Sequence, residues 1–217
     1  MKLVILGASG GCGKELVAQA LARGHAVRAV TRASTAYTPP AGAEALRGEV
    51  FDEAFLRGAF AGQDAVLSAL GLRLPGLSPF ARAEVPDLLS RSTPVIVAAM
   101  KAAGVRRIVA ISAGGVGDSY AAMPAAFKVF MKTTSLRKAY AELEVMEQAL
   151  QTSGLEVCCV RPTGLTDEPA TGQVKVVSRL SGRAMIPRAD VAAFMLDEVA
   201  RPTLARRGPV ITVTGAG

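Results

Sequence analysis

The sequence predicts an α/β fold, a doubly wound parallel sheet covered by helices on both faces, on three observations. Short β-rich apolar runs alternate with longer amphipathic stretches along the chain. A glycine-rich turn joins the first run directly to the first amphipathic stretch. Three longer segments, 71–92, 113–134 and 163–186, each follow an apolar run, which places them at the carboxyl edge of a parallel sheet.

In chain order, Lys2-Leu3-Val4-Ile5-Leu6 reads as a buried strand, followed by the glycine turn and a helix from about Lys14 to Arg23. Ala26–Thr31 is the second strand, and Glu44 to Val50 a third after a proline-containing loop. A helix around Glu53–Phe60 leads to the strand Asp64–Ala69. A helix from Pro94 to Ala103 then feeds the strand Arg107–Ser112. A long helix, Ser135 to Thr152, precedes the strand Glu156–Val160, and Val210–Val213 supplies a last one. No repeat of 20 to 50 residues interrupts this rhythm.

Composition bounds the function. The chain has 217 residues, half of them hydrophobic and 20% charged. That suffices for one sizeable core and is too little for a cofactor domain plus a large second domain, so 1–217 is read as a single domain. The apolar fraction excludes disorder. Charges or glycines break every apolar run before the roughly 18 residues of a spanning helix. The apolar N-terminus is likewise broken by Gly7–Gly13 and Lys14-Glu15, too early for a signal peptide, and the expected location is cytoplasmic. Cys12, Cys158 and Cys159 make no disulfide framework, and with His25 the only histidine no metal site is expected. The single histidine, at the start of a strand, also removes most Ser-His-Asp schemes. The net charge of +7 comes from scattered Lys and Arg, without Trp and without a basic stripe interleaved with aromatics. It suits solubility and an anionic small molecule better than nucleic acid.

In Gly7-Ala8-Ser9-Gly10-Gly11-Cys12-Gly13 the glycines stand at positions 1, 4 and 7 between a strand and a helix. A tight turn, close approach of backbone to a phosphate, and packing of helix on strand each favour glycine. Free N–H groups at the helix start, those of Gly11 and Cys12, would face a pyrophosphate along the helix dipole. Cys12 at that terminus reads either as a reactive thiol or, the favoured reading, as a small residue beside the phosphates. Thr31-Arg32 ends the second strand about 20 residues on. An acid there would hold the ribose 2′-hydroxyl of NAD, whereas Arg32, with Arg28 and Lys14 near it in sequence, accommodates the 2′-phosphate of NADP(H).

The Gly-x-x-Gly-x-x-Gly spacing resembles the extended and atypical short-chain dehydrogenase/reductases. The similarity runs through Gly62–Val66, Val97–Val105, Ile111-Ser112-Ala113, Ser153-Gly154-Leu155, Arg161–Leu165, Asp167–Gly172 and Asp190-Val191-Ala192. Together these look most like the flavin reductase/biliverdin-IXβ reductase group of NAD(P)H-binding, NmrA-like proteins. The resemblance covers most of the chain and implies a Rossmann-type fold. It implies that Val50 lies against the adenine with Asp52 close by, although family members often have Asp where this chain has Glu49. It also implies that Ala69-Leu70-Gly71 line the ribose and pyrophosphate, and that Ser112 and Ala113 sit beside the nicotinamide. Pro162-Thr163-Gly164-Leu165 would shape the carboxamide pocket, and Arg73 would meet an anionic substrate. Ser9 and Gly10 complete the implied cofactor set, and Ser112 is the candidate catalytic group.

One departure matters. Most short-chain dehydrogenases carry Tyr-x-x-x-Lys, whose lysine lowers the tyrosine pKa for proton exchange with the substrate. Here the segment reads Tyr140-Ala141-Glu142-Leu143-Glu144, and Glu144 would raise that pKa instead. Tyr140 therefore reads as structural. A flavin takes hydride at a ring nitrogen and its proton from solvent, so loss of the dyad leaves hydride transfer open.

The expected protein is an NADPH-dependent reductase of a planar or anionic acceptor: a flavin (FMN or FAD as substrate rather than bound cofactor), a quinone or a tetrapyrrole-like molecule. Phe80, Met123, Phe127, Phe130 and Met131 in the long loops are either its roof or a packing surface. The alternatives are a non-catalytic NADP(H)-binding sensor resembling NmrA-like regulators, or a relative of nucleotide-sugar epimerases. No nucleic-acid or membrane partner is expected, and the chain reads as a monomer or homodimer.

Overall fold

The computed structural model describes residues 1–179, 184–204 and 208–213. The first half contains β1 (Lys2–Leu6), α1 (Gly11–Ala22), β2 (Ala26–Thr31), β3 (Ala43–Arg47), α2 (Glu53–Phe60), β4 (Ala65–Ser68) and α3 (Leu88–Ala102). There follow β5 (Arg107–Ile111), a 3₁₀ turn (Gly117–Ala122), α4 (Ala125–Thr133), α5 (Leu136–Gln151) and β6 (Glu156–Pro162). The chain closes with β7 (Gly164–Thr166), β8 (Lys175–Val176), β9 (Met185–Pro187), α6 (Arg188–Val199) and β10 (Val210–Thr212).

Among the described residues the main sheet runs β3-β2-β1-β4-β5-β6-β10-β8. Every pairing in it is parallel except that of β8 with β10. In β1, Leu3, Val4, Ile5 and Leu6 are each wholly buried, with Leu3 opposite Val27 on one side and Ala65 on the other. A strand covered on both faces needs this unbroken apolar run. The chain moves outward from β1 through β2 to β3, then returns to place β4 on the other side of β1. The crevice at that reversal is where open α/β sheets hold ligands.

Two cores flank the sheet. On one face Leu16, Val17 and Ala20 of α1 meet Val191, Ala192 and Met195 of α6. On the other, Leu56 and Phe60 of α2 pack with Ile96 and Met100 of α3 and with Met146 and Leu150 of α5. At about 1.5–3 kcal/mol for each large apolar side chain buried, the two layers supply the main driving force for folding. No helix among the described residues is long and apolar enough to cross a membrane.

The doubly wound parallel sheet is as expected, but several boundaries differ. The third strand ends at Arg47, so Gly48–Val50 leaves the sheet. The helix expected from Pro94 begins at Leu88 and carries Pro94 inside it. That extension has a distant cause: the Glu142 carboxylate on α5 accepts from the backbone N–H groups of Leu89 (3.1 Å) and Ser90 (2.9 Å). It satisfies donors that helix geometry leaves free in the first turn. The segments 113–134 and 163–186 are not plain loops, since they hold the 3₁₀ turn, α4, and strands β7 and β8 with the start of β9. α6 was not expected at all. Asp190, Val191, Ala192, Met195, Leu196, Glu198 and Val199 are all buried, so the helix lacks the two-sided pattern that betrays a surface helix.

Candidate functional site

Because β1, β4, β5 and β6 run parallel, their carboxyl ends gather the glycine turn, Ala69–Gly71, Ser112–Gly114 and Thr163 along one edge of the sheet. Gly7 has φ +73°, and a Cβ there would stand 2.9 Å from the Ala69 carbonyl oxygen. Both the backbone conformation and the neighbour therefore demand glycine. Gly13 is constrained more severely: a Cβ would lie 2.1 Å from the Gly7 carbonyl oxygen, and its absence lets α1 seat on the turn. Ala8 N–H donates to the Val30 carbonyl (3.2 Å), which ties the turn to β2. Gly10 caps α1 without a side chain, and the first turn contains no acidic residue. The leading N–H groups and the positive end of the helix dipole thus face outward with no built-in anion.

Beside the turn lies a cleft of about 310 Å³. The expected residues Gly7, Ser9, Gly10, Arg32, Val50, Ala69, Leu70 and Gly71 all line it. Arg32 stands at its rim and pairs with Glu84 across the opening at 3.1 Å. Sequence reasoning missed Glu84, which lies in the irregular stretch between β4 and α3 and carries no local signal.

A second cavity, about 280 Å³, lies where β5 and β6 end. Its wall includes Ala113, Pro162, Thr163 and Gly164 from the expected set, together with Met123, Phe127 and Tyr140. The polar groups on its side chains are two hydroxyls, and each has its hydrogen engaged by the protein. Tyr140 donates to the Gly114 carbonyl at 3.0 Å, and Thr163 to Thr212 Oγ1 at 3.1 Å. Burial pushes the Tyr140 pKa up to about 12, so the phenol is neutral at physiological pH. Ser112, at the end of β5, is 4% exposed, and its Oγ has no hydrogen-bond partner among the described residues. An orphaned buried hydroxyl costs about 1–3 kcal/mol, which a bound amide or carbonyl would offset.

Other expectations are corrected. Asp52 is not in the first cleft; its carboxylate accepts from Phe55 N–H at 3.0 Å and caps α2. Arg73, expected to meet an anionic substrate, lines the first cleft with Arg32 and Glu84, because the chain leaving β4 runs along that wall. Gly11, Cys12 and Gly13 open α1 and are not among the residues that line the first cleft. Leu165 packs into the core under the sheet. The Cys12 thiol is buried and its pKa is pushed up to about 11, by burial first and against the opposing charge of Arg188, so it is not a thiolate nucleophile. The apolar loop group divides: Met123 and Phe127 line the second cavity, Met131 is buried, Phe130 lies tilted against Phe127, and Phe80 is 88% exposed. Among the described residues no cluster of His, Cys, Asp or Glu is arranged to hold a metal.

A glycine turn feeding a helix at the reversal point of such a sheet defines a Rossmann-type dinucleotide-binding protein. The chain belongs to the NAD(P)H-binding family, whose family model matches residues 7–202. It is 31% identical over 182 residues to the chloroplastic protein At2g34460 of Arabidopsis thaliana, a stretch that is 80% of this chain and 62% of that protein. This chain thus spans less than two thirds of that relative's length. Among solved structures it resembles ChuY, an anaerobilin reductase from Escherichia coli O157:H7 (TM-score 0.80, 24% identity, covering 100% of this chain and 99% of that one). It also resembles a wide-type short-chain dehydrogenase/reductase from Veillonella parvula solved in complex with NADP (TM-score 0.81, 16% identity, 99% and 95% covered). Membership of an NAD(P)H-binding group is borne out, and at these identities the structural likeness to a short-chain dehydrogenase/reductase speaks for the fold alone.

Proposed function

We propose that the protein is an NADPH-dependent reductase that passes hydride to a planar acceptor of the flavin, quinone or tetrapyrrole type. The observation that carries this reading is the second cavity: an apolar space at the sheet edge that holds the glycine turn, with no side-chain proton left to give. The residues present fit the cofactor. Gly7 and Gly13 are places where any side chain would collide with backbone, the α1 terminus has no acid of its own, and Ser112 Oγ is buried without a partner. The nicotinamide ring, when bound, supplies the hydride.

The chain's own groups then bind and orient. Arg32 meets the 2′-phosphate at the rim of the first cleft, and Val50 and Ala69–Gly71 wall the adenosine. Ser112 Oγ holds the carboxamide end, beside Ala113 and the 162–165 segment. Tyr140 and Thr163 offer oxygen lone pairs but no hydrogen, so among the three acceptor types they favour a flavin or tetrapyrrole, which carries its own N–H groups, over a quinone. The acceptor takes its proton from solvent. This is the chemistry of a flavin or a bilin-like ring and not that of a ketone, which needs a side-chain acid. ChuY, a reductase of a tetrapyrrole-derived product by its name, and the NADP-bound Veillonella protein support the reading.

The test follows NADPH absorbance and fluorescence in one cuvette, with and without FMN. Oxidation that needs both protein and flavin is the expected result. Bound NADPH without turnover for any of the three acceptor types would favour a sensor, and absence of binding would overturn the assignment.

A further inference from the structure

Arg188 lies across the start of α1. A Cβ placed on Gly11 would stand 2.6 Å from Arg188 Cδ and 2.8 Å from its Nε, so the arginine stem rests directly on the turn's backbone. Its NH1 donates to Asp167 Oδ1 at 2.6 Å; the arginine side chain is 28% exposed and the aspartate 87%. Asp167 follows β7 immediately, and Arg188 follows β9, the partner of β7 in a two-stranded ribbon. The position is rigid, because α6 is fastened to α1. Gln19 Nε2 donates to the Ala189 carbonyl at 2.9 Å, and Arg23 pairs with Asp197 at 2.7 Å.

Helix stability does not explain the residue. A cation in the first turn of α6 opposes that helix's dipole, and the acid in the same turn, Asp190, accepts from Thr171 and Gly172 rather than from Arg188. Pairing with Asp167 explains it poorly too, since an ion pair with so exposed a partner contributes little. What the location does offer is a planar, multi-donor cation beside a helix whose own first turn carries no acid, an arrangement suited to phosphate.

We propose that Arg188 binds the pyrophosphate of the dinucleotide, and that Asp167 is a competing anion that releases the guanidinium when the cofactor arrives. The inference rests on the reading of the glycine turn as the dinucleotide site. Arg188 would then be a second cofactor cation besides Arg32, and each binding event would release Asp167 while Thr171 and Gly172 keep the chain after β7 tied to α6 through Asp190.

The two partners are expected to act with opposite signs. Arg188→Ala should weaken NADPH binding roughly ten- to hundredfold, the scale of one or two charged hydrogen bonds. Asp167→Asn should tighten it by up to about fivefold, because it removes the competitor. Fluorescence titration with NADPH gives the affinities, with ADP and 2′-AMP as displacing ligands. ADP carries a pyrophosphate and 2′-AMP does not, so Arg188→Ala should weaken ADP while leaving 2′-AMP within about twofold. If wild type binds NADPH but Asp167→Asn weakens binding, or Arg188→Ala leaves ADP unchanged, the pair is structural and the inference is wrong. If wild type binds no NADPH, the dinucleotide reading itself fails. Should Arg188→Ala not fold, the direction of the Asp167→Asn effect still decides.

Discussion

Arg161 and Glu147 face each other as a two-bond pair, Nε to Oε1 at 3.0 Å and NH2 to Oε2 at 2.6 Å, with side chains 3% and 5% exposed. The pair joins β6 to α5. Arg161 also holds Asp118 in the 3₁₀ turn and the Gly208 carbonyl before β10. Burial opposes the guanidinium charge, but the hydrogen bonds from Glu147 and Asp118 outweigh it and keep Arg161 ionised. One buried cation thus fixes the helix that carries Tyr140, the turn that leads to Met123 and the strand that leads to Thr163, three walls of the second cavity.

Glu147→Gln should therefore destabilise the fold by about 3–5 kcal/mol, because it leaves Arg161 charged and buried with one partner removed. Urea unfolding measures this. A loss below about 1 kcal/mol would mean that Asp118 alone satisfies the guanidinium.

Gly13→Ala should lower stability by at least about 1–3 kcal/mol and abolish NADPH binding, since its Cβ meets backbone that has no side-chain freedom to yield. Gly10→Ala, whose Cβ would be 3.3 Å from the Gly7 carbonyl oxygen, should be milder. Thermal melts and NADPH titration of the two variants give the ranking, and equal effects would contradict it.

Arg32→Asp should weaken NADPH binding roughly ten- to hundredfold and leave NADH within about threefold. Its guanidinium is 44% exposed and engages only the exposed Glu84 among the ion pairs of the described residues, so the fold should tolerate the change. Equal losses for the two dinucleotides would remove Arg32 from the site.

Tyr140→Phe should leave flavin reduction within about threefold of wild type from pH 6 to 10. With a pKa near 12 the phenol does not ionise in that range, and its hydrogen is already given to Gly114. A hundredfold loss, or a rate limb near pH 9 that vanishes in the variant, would make Tyr140 the proton donor.

Local pattern carried much of this structure. Strands β1, β2, β4, β5 and β6 were legible because burial on both faces demands continuous apolar runs, and the glycine turn because close backbone approach leaves no alternative residue. What stayed hidden depends on partners distant in sequence. The first turn of α3 is capped by Glu142 from α5, and α6 is buried too completely to show a polar face. Of the residues lining the first cleft, Arg32 was read from its place after β2 and Val50 from the family resemblance. Glu84, which pairs with Arg32 there, was not, because a single charged residue in irregular chain shows no sign of the partner it will be folded against.

The ribbon of β7 and β9 has an implication for engineering. β7 and β9 run parallel, with Gly164 opposite Met185 and Thr166 opposite Pro187, so the chain leaves β7 at one end of the ribbon and enters β9 at the other, roughly 7 Å along the strand direction. On the way Lys175–Val176 joins the main sheet beside β10, and the chain between Thr166 and Lys175 is an exposed connection in which doubling the length costs only about 0.6 kcal/mol in closure entropy. Insertions are therefore best placed at Gln173 and Val174, between Gly172, held by Asp190, and Lys175, paired in β8, where they lengthen the chain without breaking either tie.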